Sequence, residues 1–592
     1  MSTNDLENLF SSGGTGPIDT RQRVLNRRSA LFRERAPWEA RWREISAYLL
    51  PFAGRFQASD RNKGNRVFNN IIDEEATRSL DILSAGMMSG ISSPARPWMR
   101  LATPDEDLMD SENVKVWLAK VTRRVLNVFA RGNTYRALHS LYEELGAFNT
   151  AVNIVQPDFD FVIWNEPLTI GEFALATDHR GRVNTLVREY ELTIEQIVEK
   201  FVLQVNGKLE WSRVSPTVKN LWDRHAYEKG VPVVHLIEPR RKGERDLSTR
   251  QTRGLPRNMA FKSVYVELGK ENPEKYLGES GFRDFPVLAP RWHVYGGDVY
   301  GVGPGAKALG SIKQLQQEQI RKAQGIDYMA RPPIAVPGEL KGREMDLLPG
   351  GVNSFNIAPS GAKVQNMFDV RLDLSHLLAD IKDVRERINK SFYADLFLMI
   401  SQMDGVQPRN QFEIAQRQEE KLLMLGPVLE RLHDELLAPE IDNAFFALLE
   451  AGALPPPPPE LENQELRVEF ISVLAQAQRA VGLGAIDRFL GTVGNLATSS
   501  GDPSAWDKVN KDEAIERYGD MLAIDPELIV SDGKVAGIRA ARAQAQQAQQ
   551  MAEMAPGLAQ AAKAGAEAQV VSQEATAGGP AGSIEQFSGY TP

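Results

Sequence analysis

The stretch from Pro304 to Arg409 constrains the fold most, because its pattern is that of two long helices separated by a short β-rich excursion. The first helix is predicted over 304–330, where Pro332 and Pro333 end it. The second helix is predicted over 372–397. Helices of about 25 residues span roughly 40 Å, whereas the mean helix of a globular protein has about 11 or 12 residues. The pattern therefore predicts a helical hairpin that leaves a domain, forms a small β tip and returns.

The sequence before this hairpin predicts an α+β body over residues 21–303, helical at first and β-rich later. An early helix is predicted around Pro37, which is typical of a first helical turn. Its apolar stripe consists of Trp38, Trp42, Ile45 and Leu49. Further along, residues 178–181 predict the turn of a β-hairpin, and Thr193 with Gln196 predicts a capping box that opens a short helix.

Charge and composition exclude several function classes. The net charge of −9 and the pI of about 5.6 argue against a chain that wraps nucleic acid with a basic outer surface, although a local basic track stays open. The chain has no cysteine, which excludes disulfides, thiolate metal sites and a cysteine nucleophile. No apolar run approaches the roughly 18 residues of a membrane helix, so we expect no membrane partner. The N-terminal sequence lacks the pattern of a signal peptide.

We expect no catalytic, cofactor-binding or metal-binding residues, because no motif has the spacing that such chemistry requires. The nearest glycine-rich candidate is 301–311, but a phosphate-binding loop needs an adjacent Gly-Lys pair followed by Ser or Thr. Here Gly305 and Lys307 are not adjacent, and Ala308 follows the lysine. We interpret the segment as a flexible lead-in to the first long helix. The seven histidines are scattered, without a local cluster of metal ligands.

Four segments carry a family resemblance. They are SAGMMSGISSPARPWMRL (84–101), RGNTYRALHSLYEELGAFNTAV (131–152), the segment from GGDVYGVGPG to ARPPIAV (296–336) and the segment 407–446. In order and spacing they resemble the head-to-tail connecting proteins of short-tailed, T7-like bacteriophages, that is, podovirus portal proteins. The resemblance covers roughly residues 25–545.

The resemblance implies an α+β, mainly α-helical subunit of the portal type, which forms a ring, usually of twelve copies. Such a subunit has an α/β wing, a two-helix stem, a small β-containing clip and a helical crown. In this chain the parts are a flexible arm (1–20), the wing (21–303), the first stem helix (304–330), the clip (331–371), the second stem helix (372–397), a tunnel loop (398–409), a wing helix with a proline-rich spacer (410–465), the crown (466–546) and a disordered tail (547–592).

The same resemblance implies a function and a set of partners. The ring lies at one vertex of the capsid, where double-stranded DNA is packaged and later leaves, without sequence preference. The clip meets the terminase motor and afterwards a tail adaptor protein, and the ring assembles in the host cytoplasm with major capsid and scaffolding proteins. Two other hypotheses are a nucleotide-driven DNA translocase or packaging enzyme, which lacks its phosphate loop here, and a membrane pore of the ejection apparatus, which lacks a long apolar run.

Basic and polar residues of the predicted stem and loop are the candidates for DNA contact. A ring repeats each of them into a belt that faces phosphates without reading sequence. Because Asp380, Asp383 and Glu386 lie among them, salt bridges are the alternative interpretation. The candidates are Lys313, Arg321, Lys322, Lys382, Arg385, Arg387, Lys390, Gln407 and Arg409, with Met399, Met403, Asp404 and Gly405 in the tunnel loop.

One face of the first stem helix is half polar. Its residues are Leu309, Ile312, Gln316, Gln319, Ala323, Ile326 and Ala330, at alternating spacings of three and four. Such a seam is a poor core by itself, and it favours packing against the helices of neighbouring subunits in a ring.

Overall fold

The structure, a computed structural model, describes most of the chain up to residue 471 and several short segments beyond it. The described residues are 20–59, 70–109, 111–205, 208–245, 248, 255–269, 276–337, 346–355, 365–366, 375–401, 425–461, 464–471, 489–496, 498–499, 503–515, 530 and 533–548. The chain divides into two compact units, Met1–Trp506 and Asp507–Pro592. In the second unit, residues 511–515 and 533–548 are helical. The elements below belong to the first unit.

The first unit begins with helices, as the sequence predicts. The helices are α1 (Thr20–Tyr48), α2 (Glu75–Ile91), α3 (Glu106–Met109), α4 (Glu112–Arg131) and α5 (Thr134–Phe148). The stripe residues Trp42, Ile45 and Leu49 are buried in the main core, which confirms that prediction. The prediction that Pro37 opens the helix is wrong, because Pro37 lies inside α1. Val24 and Leu31 of the preceding turns pack on a β-sheet, and this burial supports helix on both sides of the proline.

The β-rich part forms two antiparallel sheets. The five-stranded sheet has the order β10-β9-β8-β5-β4 and the three-stranded sheet the order β11-β2-β3. Their strands are β2 (Val152–Asp158), β3 (Val162–Leu168), β4 (Phe173–Thr177), β5 (Val183–Thr193), β8 (Gly230–Pro239), β9 (Phe261–Glu267), β10 (Gly278–Phe282) and β11 (Val287–Leu288). The predicted hairpin turn at 178–181 joins β4 to β5. A separate small hairpin pairs β6 (Leu203–Val205) with β7 (Lys208–Glu210).

Two short helices flank the five-stranded sheet, α6 (Ile194–Phe201) and α7 (Pro216–Asp223). The predicted capping box opens α6: the Thr193 hydroxyl accepts from Gln196 N at 3.3 Å, and Thr193 N donates to the Gln196 side chain at 3.0 Å. The local sequence therefore sets this helix start.

The first long helix is α8 (Pro304–Ala330), with the predicted bounds. The second predicted helix, 372–397, is not continuous: it forms α9 (Ser375–Ser391) and α10 (Ala394–Ser401), with 372–374 outside the described residues. The break lies at Tyr393, whose φ of +56° is left-handed and whose ring stacks on Trp292 at 6.0 Å. Because α10 extends to Ser401, the first residues of the predicted loop 398–409 are helical, and 402–409 lie outside the described residues.

Between the two long helices, the described residues form a small mixed sheet. β12 (Ile334–Pro337) pairs in parallel with β13 (Val352–Phe355) and antiparallel with β14 (Gln365–Asn366). This arrangement agrees with a β-containing excursion over 331–371.

After the second long helix, the chain returns to the body. Residues 425–432 are helical and continue through a π-helix, His433–Leu437, into α11 (Ala438–Glu450). β15 (Arg467–Phe470) then pairs antiparallel with β1 (Met99–Ala102). The predicted crown, 466–546, therefore begins with a strand that belongs to the body, because the edge of β1 takes its hydrogen bonds from β15.

The glycine-rich segment at the start of α8 is tightly packed, and its interpretation as a flexible lead-in is wrong. A Cβ at Gly305 would overlap the carbonyl oxygen of Ala147 in α5 and lie 2.8 Å from the carbonyl carbon. A Cβ at Gly301 would overlap the carbonyl oxygen of Asn149. Gly301 N also donates to the Thr150 hydroxyl at 2.8 Å. Glycine is required here because two backbones meet, and this close approach fixes where the long helix leaves the body.

Candidate functional site

The site is the junction at which α8 and α9 pack on each other and on the start of α2. Ile312 and Leu315 of α8 and Ile381, Val384 and Ile388 of α9 are all buried in the main core. Farther along the same helices, Ile326, Met329 and Leu378 are each nearly half exposed, at 46%, 48% and 48%. One end of the helix pair is therefore fixed in the body, while apolar side chains near the other end face solvent.

Asp73, immediately before α2, holds both long helices by its side chain. Arg385 of α9 donates to its carboxylate from Nη2 at 2.8 Å, and Gln319 of α8 donates from Nε2 at 2.6 Å. Glu75 N donates to the other carboxylate oxygen at 3.0 Å. Burial by itself raises the pKa of the Asp73 carboxyl, but the hydrogen bonds from Arg385, Glu75 and Gln319 together hold that pKa below its usual range.

Two side-chain amides complete the junction. The Oε1 atom of Gln316 accepts from Ile72 N at 2.7 Å and from Asp73 N at 2.8 Å, while its Nε2 donates to Asp73 O at 2.9 Å. Asn389 of α9 donates to Glu75 at 2.9 Å and accepts from the Ser79 hydroxyl at 2.5 Å. Polar seam residues are thus satisfied within the chain, whereas the sequence-based interpretation assigned the seam to neighbouring subunits.

Four of the predicted DNA-contact residues form ion pairs within the chain. Lys313 donates to Glu44 at 2.8 Å, and Arg385 pairs with Asp73 as described. Arg387 lies 3.1 Å from Asp383, and Lys390 lies 3.7 Å from Glu386, each on the same face of α9. These contacts agree with the salt-bridge alternative.

The other predicted contact residues differ in position. Arg321 and Lys382 are exposed and Lys322 is half-buried, on α8 and α9. Met399 lies in α10. Gln407, Arg409, Met403, Asp404 and Gly405 lie outside the described residues. The sequence did not indicate the roles of Asp73, which lies before α2, and Asn389, which lies within α9. Each has a partner far away along the chain, and no local pattern points to such a partner.

Beside this junction, a buried carboxyl of α8 feels the charge of a carboxyl of α9. Glu318 of α8 is buried, and its Oε1 atom accepts from Gln314 at 2.7 Å. Its Oε2 atom is buried and has no hydrogen-bond partner among the described residues. Burial raises the pKa of Glu318, and the nearby charge of Asp380 on α9 raises it further, while Gln314 and Arg387 oppose the change. The neutral form of Glu318 is therefore favoured, since it avoids repulsion between this carboxyl and Asp380.

Replacing Glu318 with glutamine should make stability less sensitive to alkali. Because the folded state raises the pKa of Glu318, the protonated form stabilises the fold fully below the unfolded pKa of about 4.3, and this contribution is lost as pH rises through the folded pKa. Glutamine keeps a neutral donor at every pH. We expect equal melting temperatures near pH 4.5 and a gain on the order of 1 °C for Glu318→Gln at pH 8.

Thermal unfolding of wild type and variant across this pH range is the measurement. Glu386→Gln is the matched control on α9, since it removes an exposed pairing carboxylate and should give no gain at high pH. A difference between Glu318→Gln and wild type that stays constant with pH would contradict the role of Glu318.

Two further carboxyls with raised pKa lie elsewhere in the core, each with neutral donors. Burial raises the pKa of Glu144 to about 7, although it accepts from the Thr169 hydroxyl at 2.5 Å and from Ile170 N at 3.2 Å. Burial also raises the pKa of Glu440 to about 7, although Asn165 donates to it at 2.9 Å. Their partners join separate elements of the body, which indicates a structural role.

Over the described residues, no three His, Asp or Glu side chains are grouped as metal ligands. In the same part of the chain, no helix is both long enough and apolar enough to cross a bilayer.

A family pattern and two similar proteins agree on the family of this chain. The pattern of the family described as "Bacteriophage head to tail connecting protein" matches residues 21–530. The "Probable portal protein" of Bordetella phage BPP-1 is 51% identical over 527 residues, which cover 89% of this chain and 92% of that protein. The "Portal protein" of Salmonella phage epsilon15 is 40% identical over 550 residues, covering 93% of this chain and 96% of that protein.

Among solved structures, a chain titled "Virion of native gene transfer agent (GTA) particle" superposes with a TM-score of 0.34 at 12% identity. The superposition covers 78% of this chain and 99% of that chain.

Proposed function

Because the chain belongs to the bacteriophage head to tail connecting protein family, we propose that it is the portal subunit of a virion. It lies at the portal vertex of the capsid and forms a homo-oligomeric ring. Double-stranded DNA passes through this ring during packaging and ejection. The high identity to two phage portal proteins over about nine-tenths of the chain is the observation that carries this conclusion.

The long helices provide the wall of the ring. Ile326, Met329 and Leu378 expose apolar surface near one end of the pair, where the described residues do not cover them. In a ring of identical subunits the neighbouring pair covers this surface. The fixed end, held by Asp73 and Gln316, sets the direction of each pair relative to its own body.

The wall contacts DNA weakly and without sequence preference. Arg321 and Lys382 are exposed cations of α8 and α9, whereas carboxylates of the same chain balance Lys313, Arg385, Arg387 and Lys390. Ring symmetry turns Arg321 and Lys382 into belts, and the acidic residues between them keep the duplex from being held tightly. A conduit requires this balance between attraction by the cations and repulsion by the acidic residues, since DNA must slide through it.

The remaining parts of the portal follow from the family. The excursion 331–371 docks the terminase motor during packaging and the tail adaptor afterwards, while the ring contacts major capsid and scaffolding proteins. Twelve copies of the 65.8 kDa chain form the ring, with a mass of roughly 790 kDa. The subunit acts as a structural conduit and not as an enzyme.

Light scattering and negative-stain imaging of the purified full-length protein test the ring.

On such rings, Arg321→Ala combined with Lys382→Ala should weaken binding of duplex DNA several-fold at low salt. The slope of log K against log salt should become shallower by about 0.9 for each phosphate that the ring no longer neutralises. Lys219→Ala, which removes an exposed cation of α7, is the control and should leave both quantities unchanged. Equal DNA binding by all these proteins would exclude the two residues from the channel.

A further inference from the structure

The hairpin that joins β2 to β3 ends in an ordered aromatic tip, which we call the FDF tip (Phe159, Asp160, Phe161). Asp158 shapes it, because one carboxylate oxygen accepts from Asp160 N and from Phe161 N, both at 2.8 Å. Val162 follows with a φ of +72°, a left-handed conformation that β-branched residues rarely adopt. A turn held by its own side chain and followed by a strained residue fixes the backbone from which Phe159 and Phe161 project.

The FDF tip exposes apolar surface that the described residues leave uncovered. Phe159 is fully exposed, and Phe161 and Trp164 are each 39% exposed. The rings of Phe161 and Trp164 lie 5.8 Å apart, so they form one patch behind Phe159. Clustered exposed aromatics on a rigid turn indicate an interaction site. Asp158 and Asp160 add two negative charges, so the partner surface should be an apolar pocket with a basic rim.

A pocket of this kind lies elsewhere on the same chain, between α7 and the ends of β8 and β9. We call it the α7 cleft. Its volume is about 320 Å³, close to the lower limit of about 300 Å³ for ligand pockets and suited to one aromatic side chain. Its apolar walls include Leu221, Val231 and Leu277, and its cationic residues are Arg21, Arg213 and Lys229.

The charges of the α7 cleft complement those of the FDF tip. The one carboxylate in its lining, Glu267, already accepts from the Ser215 hydroxyl at 2.6 Å. Arg21 is engaged as well, since it donates to Glu267 O at 3.1 Å. Arg213 and Lys229 are exposed and give the lining two cations at its surface, while the carboxylate of Glu191 lies beside Gly230. A phenylalanine flanked by aspartates therefore finds an apolar floor and cations at the rim.

We propose that the FDF tip of one copy inserts Phe159 into the α7 cleft of the next copy. Since Phe159 is fully exposed in the single chain, it does not occupy the cleft of its own chain. Two different surfaces that complement each other make a heterologous contact, and such contacts repeated around an axis close into a ring. This contact rests on the proposed ring and specifies one of its interfaces.

Cysteine cross-linking tests the contact without background, because the chain contains no cysteine. At a protein concentration high enough to offset the loss of both contact side chains, the variant Phe159→Cys/Arg213→Cys should assemble into rings and, on mild oxidation, give a ladder of covalent oligomers on a denaturing gel. The single variants, and the control pair Phe52→Cys/Arg213→Cys with its cysteine at another exposed aromatic position, should give no ladder. Rings that form normally but give no ladder overturn the contact and leave the portal assignment intact. A chain that never assembles at any concentration overturns the ring and the contact together.

Exchange of the two charges provides a second test. Misfolding of a single variant cannot explain its result, because the double variant is expected to recover assembly. Asp160→Arg and Arg213→Glu should each raise the protein concentration needed for half-assembly about tenfold, and the double variant should recover most of the loss. Unchanged assembly of both single variants, or normal rings that fail only to enter capsids, would assign the FDF tip to a different partner and overturn the proposal.

Discussion

Gly305→Ala should displace the first long helix and lower stability by about 3 kcal/mol, near the upper end of the overpacking range. The added methyl group would overlap the carbonyl oxygen of Ala147 and lie 2.8 and 3.0 Å from two other backbone atoms of that residue. Ala147 is fully buried in α5, so neither backbone can yield without moving its helix. Urea unfolding should show a lower midpoint, and purified material should form fewer rings.

Gly310→Ala is the matched control, because it makes the same substitution five residues later on the same helix. A Cβ at Gly310 meets nothing within 4 Å, and the residue is exposed. Alanine is favoured over glycine inside a helix by about 1 kcal/mol, so this variant should be as stable as wild type or more stable. If the two variants unfold at the same midpoint, the close approach of α5 and α8 does not set the helix position.

Glu435→Ala should destabilise the fold by about 3 to 5 kcal/mol, the cost of leaving a buried charge without its partner. Arg291 is buried, and it donates to Glu435 from Nε at 3.2 Å, from Nη2 at 2.6 Å and from its backbone N at 3.0 Å. Without Glu435, the acceptors that the described residues offer the guanidinium are two carbonyl oxygens, Gly181 O at 2.9 Å and Val299 O at 3.4 Å. The urea midpoint is again the measurement.

Two further variants separate the effect of leaving Arg291 without its carboxylate from the effect of the cavity that a smaller side chain leaves. Arg291→Met/Glu435→Leu replaces both partners with apolar side chains, and it should recover a substantial part of the stability that Glu435→Leu removes. Glu386→Ala, which breaks an exposed pair on α9, should change stability by no more than about 0.5 kcal/mol. A double variant less stable than Glu435→Leu would contradict the buried-pair explanation.

The contact between Glu435 and Arg291 also explains the π-helix His433–Leu437. This segment places Glu435 against Arg291, and the ring of His433 stacks on Phe470 of β15 at 3.8 Å. π-helical turns are rare and occur at sites where a side chain must be redirected. No local sequence pattern indicates this partner, which lies 144 residues away along the chain.

In the proposed DNA channel, too, the partners of charged residues lie far away along the chain. The sequence identified the basic residues of the long helices, because charge is a property of each residue. It left open which cations are neutralised, because their partners are remote: Asp73 lies 312 positions before Arg385, and Glu44 lies 269 positions before Lys313. The structure separates the paired cations from Arg321 and Lys382, which remain the candidates for phosphate contact.

The amino-acid sequence by itself determined the features that depend on neighbours along the chain. These are the bounds of α8 between Gly303 and Pro332, the apolar stripe of α1 and the capping box of α6. Helix propensity, capping and periodicity act over a few residues, so a local pattern specifies them.

Tertiary structure decided the features that depend on contacts between segments far apart in the sequence. It placed the left-handed break at Tyr393, paired β15 with β1 and gave Gln316 the backbone of Asp73 as its partner. It also required glycine at 305, because two backbones meet there. Burial and hydrogen bonding between segments hundreds of residues apart overrule local preference, since their free energies exceed the small differences between local conformations.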